Sequence, residues 1–484
     1  MSRTEDLKWI EIKNFLGMDA PLNTISDLAL SRDMVNMSIR SGRMFARPGA
    51  ATFQNANHDE PVIGFFDFNH LGTVHLLRFS TKGIQEWSGT AWADLTLDVA
   101  IAAADGDNVD TVQYKDDLYT IPQPGVKPFK WTAASGTVTQ ISGAVTGRTL
   151  MNYSAYLMIG YANGDPRGIR YSIDASTWAA ADVLTMVDTP GFIVRMLPYA
   201  GVGYIYKNFS TEFIKFVGST ATDFSQSVLD ENIGLGAANT LVGTGHLGHI
   251  FLGHDGRLYL NNGSLQPILG KVSDRIIDEI NFDEIGESFA AIDANNTIYT
   301  LFYPRGSSKY SFRRMDLNYR TGVVEVHSYE LMDVGTFSRG FYTRYGEKPP
   351  FFIMSSAGGV PVTYRLDTTT QLTDNGTLLH PYWATDWIPT GQQHLLEIRF
   401  RIKHKGRGVM TVKLAEDIGN VYDTVAVKDF RDRVAGEDIF AIENMNSKVD
   451  HIKLRVELAP AVDNKDIEMQ GIAFGFAPAE GSPG

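Results

Sequence analysis

Three histidines, one acidic cluster and one basic stripe are the residues whose types and spacing could do chemistry in this chain. His246, His249 and His254 form the most metal-like group. On a strand, positions 246 and 249 point to opposite faces, and neither spacing is the four-residue helical one of zinc hydrolases. Ordinary strand histidines are therefore expected. Asp105, Asp107 and Asp110 carry carboxylates near calcium spacing, but without the glycine and terminal glutamate of an EF-hand loop they read as a surface turn. Arg399, Arg401, Lys403 and Lys405, continued by Arg407, alternate with mostly apolar residues, which places the charges on one face of a strand. That face could meet DNA or an acidic neighbouring subunit, or simply be solvated.

Other constellations are missing. The sequence has no Gly-x-Ser-x-Gly elbow and no phosphate-binding loop. With no cysteine, thiolate nucleophiles, disulfides and cysteine-ligated metals are excluded. Carboxylate pairs for glycoside hydrolysis could be drawn from many Asp and Glu residues, and nothing singles out one pair. Ser172-Ile173-Asp174-Ala175-Ser176-Thr177-Trp178 comes close to the Asp box of sialidase-type propellers, one residue shorter and without its glycine. In those folds the box is a structural turn, so the likeness speaks for a propeller rather than for catalysis. No catalytic residue, metal ligand or cofactor is assigned, and a non-enzymatic protein is expected.

Elements that could position these residues are almost all strands. The chain has 484 residues, 43% hydrophobic and 20% charged, enough for a sizeable core and too long for one. Short runs rich in Val, Ile, Tyr, Phe and Trp alternate with Gly, Asn, Asp and Ser turns. Hairpins are expected at His75–Trp87, Val112–Ile121, Ala155–Ser172, Val202–Phe216, His249–Leu260 and Phe289–Phe302. Their centres lie about 40 to 50 residues apart, the period of β-propeller blades. The one helix candidate is Ser273 to Glu287, with Ser273-Asp274 as its N-cap. From about residue 390 the texture changes to longer alternating strands such as Glu397 to Lys405, Val409 to Leu414, Ile452 to Leu458 and Ile472 to Phe476. The fold expected is all-β: an N-terminal extended arm with the first strands over 1–60, a β-propeller over 61–389 and a C-terminal β-sandwich or platform domain over 390–484.

Charge and hydropathy narrow the setting. A formal net charge of −13 argues against wrapping nucleic acid, which needs clustered Lys and Arg to neutralise phosphates. No run of about eighteen apolar residues suggests a spanning helix. The opening residues hold two acids and no apolar run of signal-peptide length, so folding in a cytoplasm is expected.

The N-terminal segment carries a resemblance. It reads Asn14-Phe15-Leu16-Gly17-Met18-Asp19-Ala20-Pro21, then Arg32-Asp33-Met34-Val35-Asn36-Met37, then Ser41-Gly42-Arg43-Met44-Phe45-Ala46-Arg47-Pro48-Gly49. This resembles the opening of the tail nozzle, or packaged-DNA stabilisation, proteins of short-tailed bacteriophages, with Gly17, Asn36, Arg47, Pro48 and Gly49 as its structural fingerprint. A more diffuse likeness continues through Ser210–Phe216, Asn232–Gly236, His254–Gly256 and Ser273–Ile276 to the final strand Gly471–Phe474. The resemblance implies a virion protein of the tail, assembled in the host cytoplasm as a homo-oligomeric ring, a hexamer, below the portal and adaptor. Such a ring extends the DNA channel, retains the packaged genome and passes it during ejection. Its implied partners are the portal and adaptor proteins, a tail fibre or tailspike, a plug or needle protein, and double-stranded DNA sliding through without sequence-specific binding. The alternatives are another head–tail connector or tail hub protein, and a carbohydrate-active, sialidase-like propeller enzyme.

Overall fold

The structure is a computed structural model that describes residues 7–13, 15, 17–18, 30–31, 33–57, 60–133, 135–218, 223–268, 270–293, 295, 297–329, 337–343, 351–356, 361–368, 373–374, 377–385, 388–389, 393–416, 421–431, 433–448, 451–462 and 464–477. Asn14, Leu16, Asp19, Ala20, Pro21 and Arg32 of the N-terminal resemblance, and Ala294 and Asn296 of the sixth hairpin, lie outside the described residues. The chain is all-β, built from many small, mostly antiparallel sheets. It divides into two compact units, and neither is one continuous stretch. The larger takes Thr52–Arg313 and Val334–Arg365; the smaller takes Met1–Ala51, Arg314–Asp333 and Leu366–Gly484.

In the larger unit, sheets of four or five strands follow one another at 62–94, 96–140, 149–185, 193–230 and 242–268. The hairpin of Phe289–Asp293 and Ile298–Tyr303 comes next, and then Phe337–Thr343 pairs with Phe351–Ser356. All six expected hairpins form: Thr73–Ser80 with Ile84–Trp87, Asp110–Tyr114 with Asp117–Ile121, Tyr156–Gly160 with Gly168–Ser172, Val202–Lys207 with Thr211–Phe216, His249–Leu252 with Leu258–Asn261, and Phe289–Asp293 with Ile298–Tyr303. Three further hairpins, Val62–His70 with Thr73–Ser80, Thr149–Tyr153 with Tyr156–Gly160 and Ile193–Tyr199 with Val202–Lys207, turn more tightly still. Leu71-Gly72, Ser154-Ala155 and Ala200-Gly201 each close a two-residue loop with positive φ at both positions, the type I′ geometry whose twist matches paired strands. Ser154 and Ala155 adopt it without glycine, at a conformational cost that the paired strands must offset.

Apolar clusters sit between successive sheets and glue them face to face. Phe68, Leu77, Phe79, Leu118, Phe129 and Trp131 join the first to the second. Tyr114, Ile121, Leu150, Leu157 and Ile159 join the second to the third, and Met151, Met158, Ile193, Met196 and Ile205 the third to the fourth. Each such side chain contributes roughly 1.5–3 kcal/mol by leaving water.

The helix differs from expectation. It runs over Gly270–Glu279, and a separate 3₁₀ segment follows at Phe282–Glu287. Ser273 therefore lies inside the helix rather than at its cap, and its hydroxyl donates to the Ile268 carbonyl, 3.1 Å away. Asn281 caps the 3₁₀ segment instead, accepting from the Asp283 amide. Among the described residues no helix is long and apolar enough to cross a membrane.

The smaller unit draws strands from both ends of the chain. One sheet orders Gly436–Lys448, His394–His404, Ile467–Ala477, Arg43–Ala46 and Met37–Arg40, and Lys8–Ile12 also pairs with Ile467–Ala477. A second orders Asp33–Val35, Tyr382–Ala384, His451–Ala459, Val409–Glu416 and Asp423–Asp429. Strict alternation buries Phe400 and Ile402, Met410, Val412 and Leu414, and Leu454 and Val456 on one face of each strand.

Candidate functional site

In the smaller unit, a buried polar centre gathers Asn36, Arg47 and Pro48 of the fingerprint. Asn36 follows the strand Asp33–Val35 with φ of 58°, a left-handed conformation that asparagine tolerates better than most residues. This turns its side chain toward the residues before Gly49. Its Oδ1 accepts from Arg47 Nε at 2.9 Å and from the Ser328 amide at 3.0 Å. Arg47 is 1% exposed. Its Nη1 donates to Asp374 Oδ1 at 3.0 Å and to the Pro48 carbonyl at 2.9 Å, its Nη2 donates to Asp374 Oδ2, and its guanidinium lies 4.3 Å from the centre of the Tyr329 ring. Burial alone would lower the Arg47 pKa, but the Asp374 carboxylate overcomes that and the pKa ends above its ordinary value. Three stretches distant in sequence, 33–49, 326–329 and 374, are thereby tied through one guanidinium.

Gly17 and Gly49 contribute backbone to the same region. Gly17 pairs in parallel with Val324, and Gly49 opens the strand Gly49–Asn57, buried and without a positive φ. Of the five fingerprint residues, Asn36, Arg47 and Pro48 make the clasp, while Gly17 and Gly49 serve as strand backbone.

Beside the clasp lies an ionic cluster that the sequence reading did not single out. Asp316, on the strand Arg313–Asn318, accepts from Arg314 Nε at 2.9 Å and Nη2 at 2.7 Å, while Arg314 Nη1 reaches the Tyr329 hydroxyl at 3.2 Å. Glu325 and His327, on Val324–Ser328, share one face at two-residue spacing. Glu325 Oε1 accepts from the Ile39 amide at 2.8 Å and from Arg40 at 2.6 Å. His327 Nε2 lies 3.5 Å from Asp316 Oδ2 and 3.6 Å from Glu325 Oε2. All three side chains are at most 4% exposed. Burial would raise both carboxyls, yet both sit below their usual range: the Arg314 guanidinium lowers Asp316, and Arg40 lowers Glu325. Among the described residues this is the one set of acidic and imidazole groups close enough to hold a metal ion. The signal in the sequence was Glu325-Val326-His327, two titratable groups on the same side of a strand with apolar neighbours.

The three histidines of the sequence reading do not converge into a ligand set among the described residues. His249 is buried, its Nδ1 within 2.8 Å of the Tyr206 hydroxyl, and Tyr206 accepts from Asn261. His254 accepts from the Gly234 amide and packs edge-on against Phe209. The acidic loop also disperses: Asp105 accepts from Tyr310, Asp107 from the Ala104 amide, and Asp110 from Thr149 and the Leu150 amide. Asp174 closes its own turn, accepting from Ser172, Ser176 and both the amide and hydroxyl of Thr177, which hold its carboxyl well below the usual range.

The basic residues Arg399, Arg401, Lys403 and Lys405 all lie on one exposed face. They are not a bare cationic surface. Arg399 forms a two-point bond with Glu397 and covers the Trp9 ring at 4.3 Å; Arg401 faces Glu437 at 3.6 Å; Lys403 stands in register between Glu437 and Glu468.

A cavity of about 210 Å³ in the larger unit is lined by residues of several sheets, among them Phe65, Thr111, Arg195, Val242, Ala291 and Phe341. No protein-family model matches the chain, and a search of curated proteins gives no match.

Proposed function

We propose that this chain is a structural subunit of the tail nozzle of a short-tailed bacteriophage, acting without catalysis. In this reading six copies form a ring that continues the DNA channel below the portal and adaptor, holds the packaged genome and passes it during ejection. The observation that carries the reading is the Arg47 clasp. Two residues of the resemblance, Asn36 and Arg47, knot the N-terminal segment to two distant parts of the chain, as expected of positions that specify a fold.

The larger unit is read as a β-propeller. In support, its sheets follow one another with apolar clusters between neighbours, and strands of several sheets line one cavity. The last sheet also bonds to the first, Ser338 Oγ donating to the Val62 carbonyl and Arg339 Nε to the Ile63 carbonyl. The alternating burial of the smaller unit supports a β-sandwich. The net charge of −13 suits a channel that DNA must leave, because every favourable phosphate contact would have to be broken on ejection. The interleaving of Glu437 and Glu468 with the basic stripe favours an acidic neighbouring subunit or solvent over DNA as what that face meets. Asp174 is committed to its own turn, so the near-Asp-box adds nothing to the sialidase-like alternative.

Electron microscopy of the intact particle tests this. The expected result is a sixfold ring of this chain around the DNA channel with a net negative lumen; a strongly basic lumen, or the chain lying elsewhere, would reject it.

A further inference from the structure

We propose that Asp316, Glu325 and His327 form a binding site for one divalent transition-metal ion of the Zn²⁺ type, a cross-link built into the smaller unit. The argument starts from separations. His327 Nε2 stands 3.5 Å from Asp316 Oδ2 and 3.6 Å from Glu325 Oε2. Both gaps are too long for good hydrogen bonds. They are close to the roughly 3.4 Å edge of a tetrahedron whose nitrogen and oxygen ligands lie about 2.0–2.2 Å from a central zinc ion.

The second observation is unsatisfied polarity. Glu325 Oε2 is buried and accepts no hydrogen bond, and Nδ1 of His327 likewise has no partner. The Glu325 side chain is 3% exposed and that of His327 is 1% exposed. A buried carboxylate oxygen left unpaired costs several kcal/mol in general, and burial is sustained where something else meets it. Glu325 Oε2 is the oxygen turned toward His327, so a cation between these groups would satisfy it.

The donor set selects the ion. One imidazole nitrogen with two carboxylate oxygens suits Zn²⁺ or Mn²⁺, whereas Ca²⁺ and Mg²⁺ take all-oxygen shells. Arg314 on Asp316 and Arg40 on Glu325 offset part of the carboxylate charge and so lower the pull on any cation, which leaves the imidazole as the ligand that distinguishes one ion from another. The carboxylates are in turn oriented by Arg314, Arg40 and the Ile39 amide, the outer support that metal ligands usually have. The ion would fasten the hairpin of Arg313–Asn318 and Val324–Ser328, which is already tied to Met37–Arg40 through Glu325 and to the Arg47 clasp through Tyr329. The competing arrangement is a protonated His327 bridging two carboxylates with no metal.

The test uses the purified full-length chain. It is stripped with EDTA, dialysed against Zn²⁺ and then against metal-free buffer, and its metal content is measured by mass spectrometry alongside melting curves with Zn²⁺, Mg²⁺ and EDTA. The expected result is about one Zn²⁺ per chain and a melting temperature raised by a few degrees by Zn²⁺ but not by Mg²⁺. Glu325→Gln and His327→Gln should lose both effects, while His254→Gln keeps them. In the stripped wild type, Co²⁺ should give the visible absorption of a low-coordinate site. Should a variant fail to fold, the wild-type measurements still decide. Zinc well below one equivalent with melting indifferent to Zn²⁺ and EDTA would overturn the proposal in favour of the protonated bridge, and so would zinc retained in folded forms of both variants.

Discussion

Arg47 and Asp374 lie 327 residues apart in the sequence and meet as a buried two-point ion pair, with the guanidinium packed on Tyr329. Removing one partner leaves the other charge buried alone. Arg47→Met should therefore destabilise the smaller unit by about 3–5 kcal/mol, read as a lower denaturant midpoint. The double change Arg47→Met with Asp374→Leu should recover a large part of that loss, because no lone charge remains. A double variant as unstable as the sum of the single changes would show that the pair's geometry, rather than its charge balance, holds the clasp.

Asn36 separates two contributions. Asn36→Gly keeps the left-handed backbone and loses the acceptor for Arg47 and Ser328, a cost of about 1–3 kcal/mol. Asn36→Ala loses the acceptor and also strains the backbone at φ of 58°, adding about 1 kcal/mol. Denaturation should rank wild type above Asn36→Gly above Asn36→Ala.

Acid should weaken the larger unit through His249. Burial pulls this imidazole from its ordinary value near 6.5 to about 4, and the Pro198 carbonyl restores only part. The folded chain thus keeps His249 neutral while the unfolded chain takes up a proton below pH 6.5. Stability falls as pH drops from 6.5 to about 4, by about 3 kcal/mol from this group, and this contribution levels off below that. Urea unfolding at several pH values should show a shallower slope across that window in His249→Gln than in the wild type.

The basic stripe separates folding from assembly. Arg401→Gln with Lys403→Gln removes two exposed charges, and the Arg401–Glu437 ion pair lost with them contributes at most about 1 kcal/mol. Melting should hardly change, while incorporation into particles should drop if the stripe meets an acidic subunit. Unchanged incorporation would leave the stripe a solvated face.

How much of this was legible follows from range. Hairpins such as Val202–Lys207 with Thr211–Phe216 announce themselves, because alternating aromatic and β-branched residues and a turn lie within one short window. The pairing of Met469 with Met44, which brings N-terminal strands into a C-terminal sheet, leaves no local trace. In the sequence Ser273 looks like a helix cap, yet it lies within the helix and its hydroxyl reaches back to the Ile268 carbonyl. Asp316, Glu325 and His327 were passed over since charges on strands usually face water, and only their shared burial sets them apart. The tie of His249 to Tyr206 and Asn261 leaves no trace in the sequence, because it needs two sheets to be seen together.

The most direct measurement of the proposed nozzle role is to delete this chain's gene from the phage that the proposal takes to carry it and to image the particles by electron microscopy. The nozzle reading expects DNA-filled heads that leak their genome and lack a finished tail, restored when the chain is supplied in trans. Complete, infectious particles without it would contradict the account.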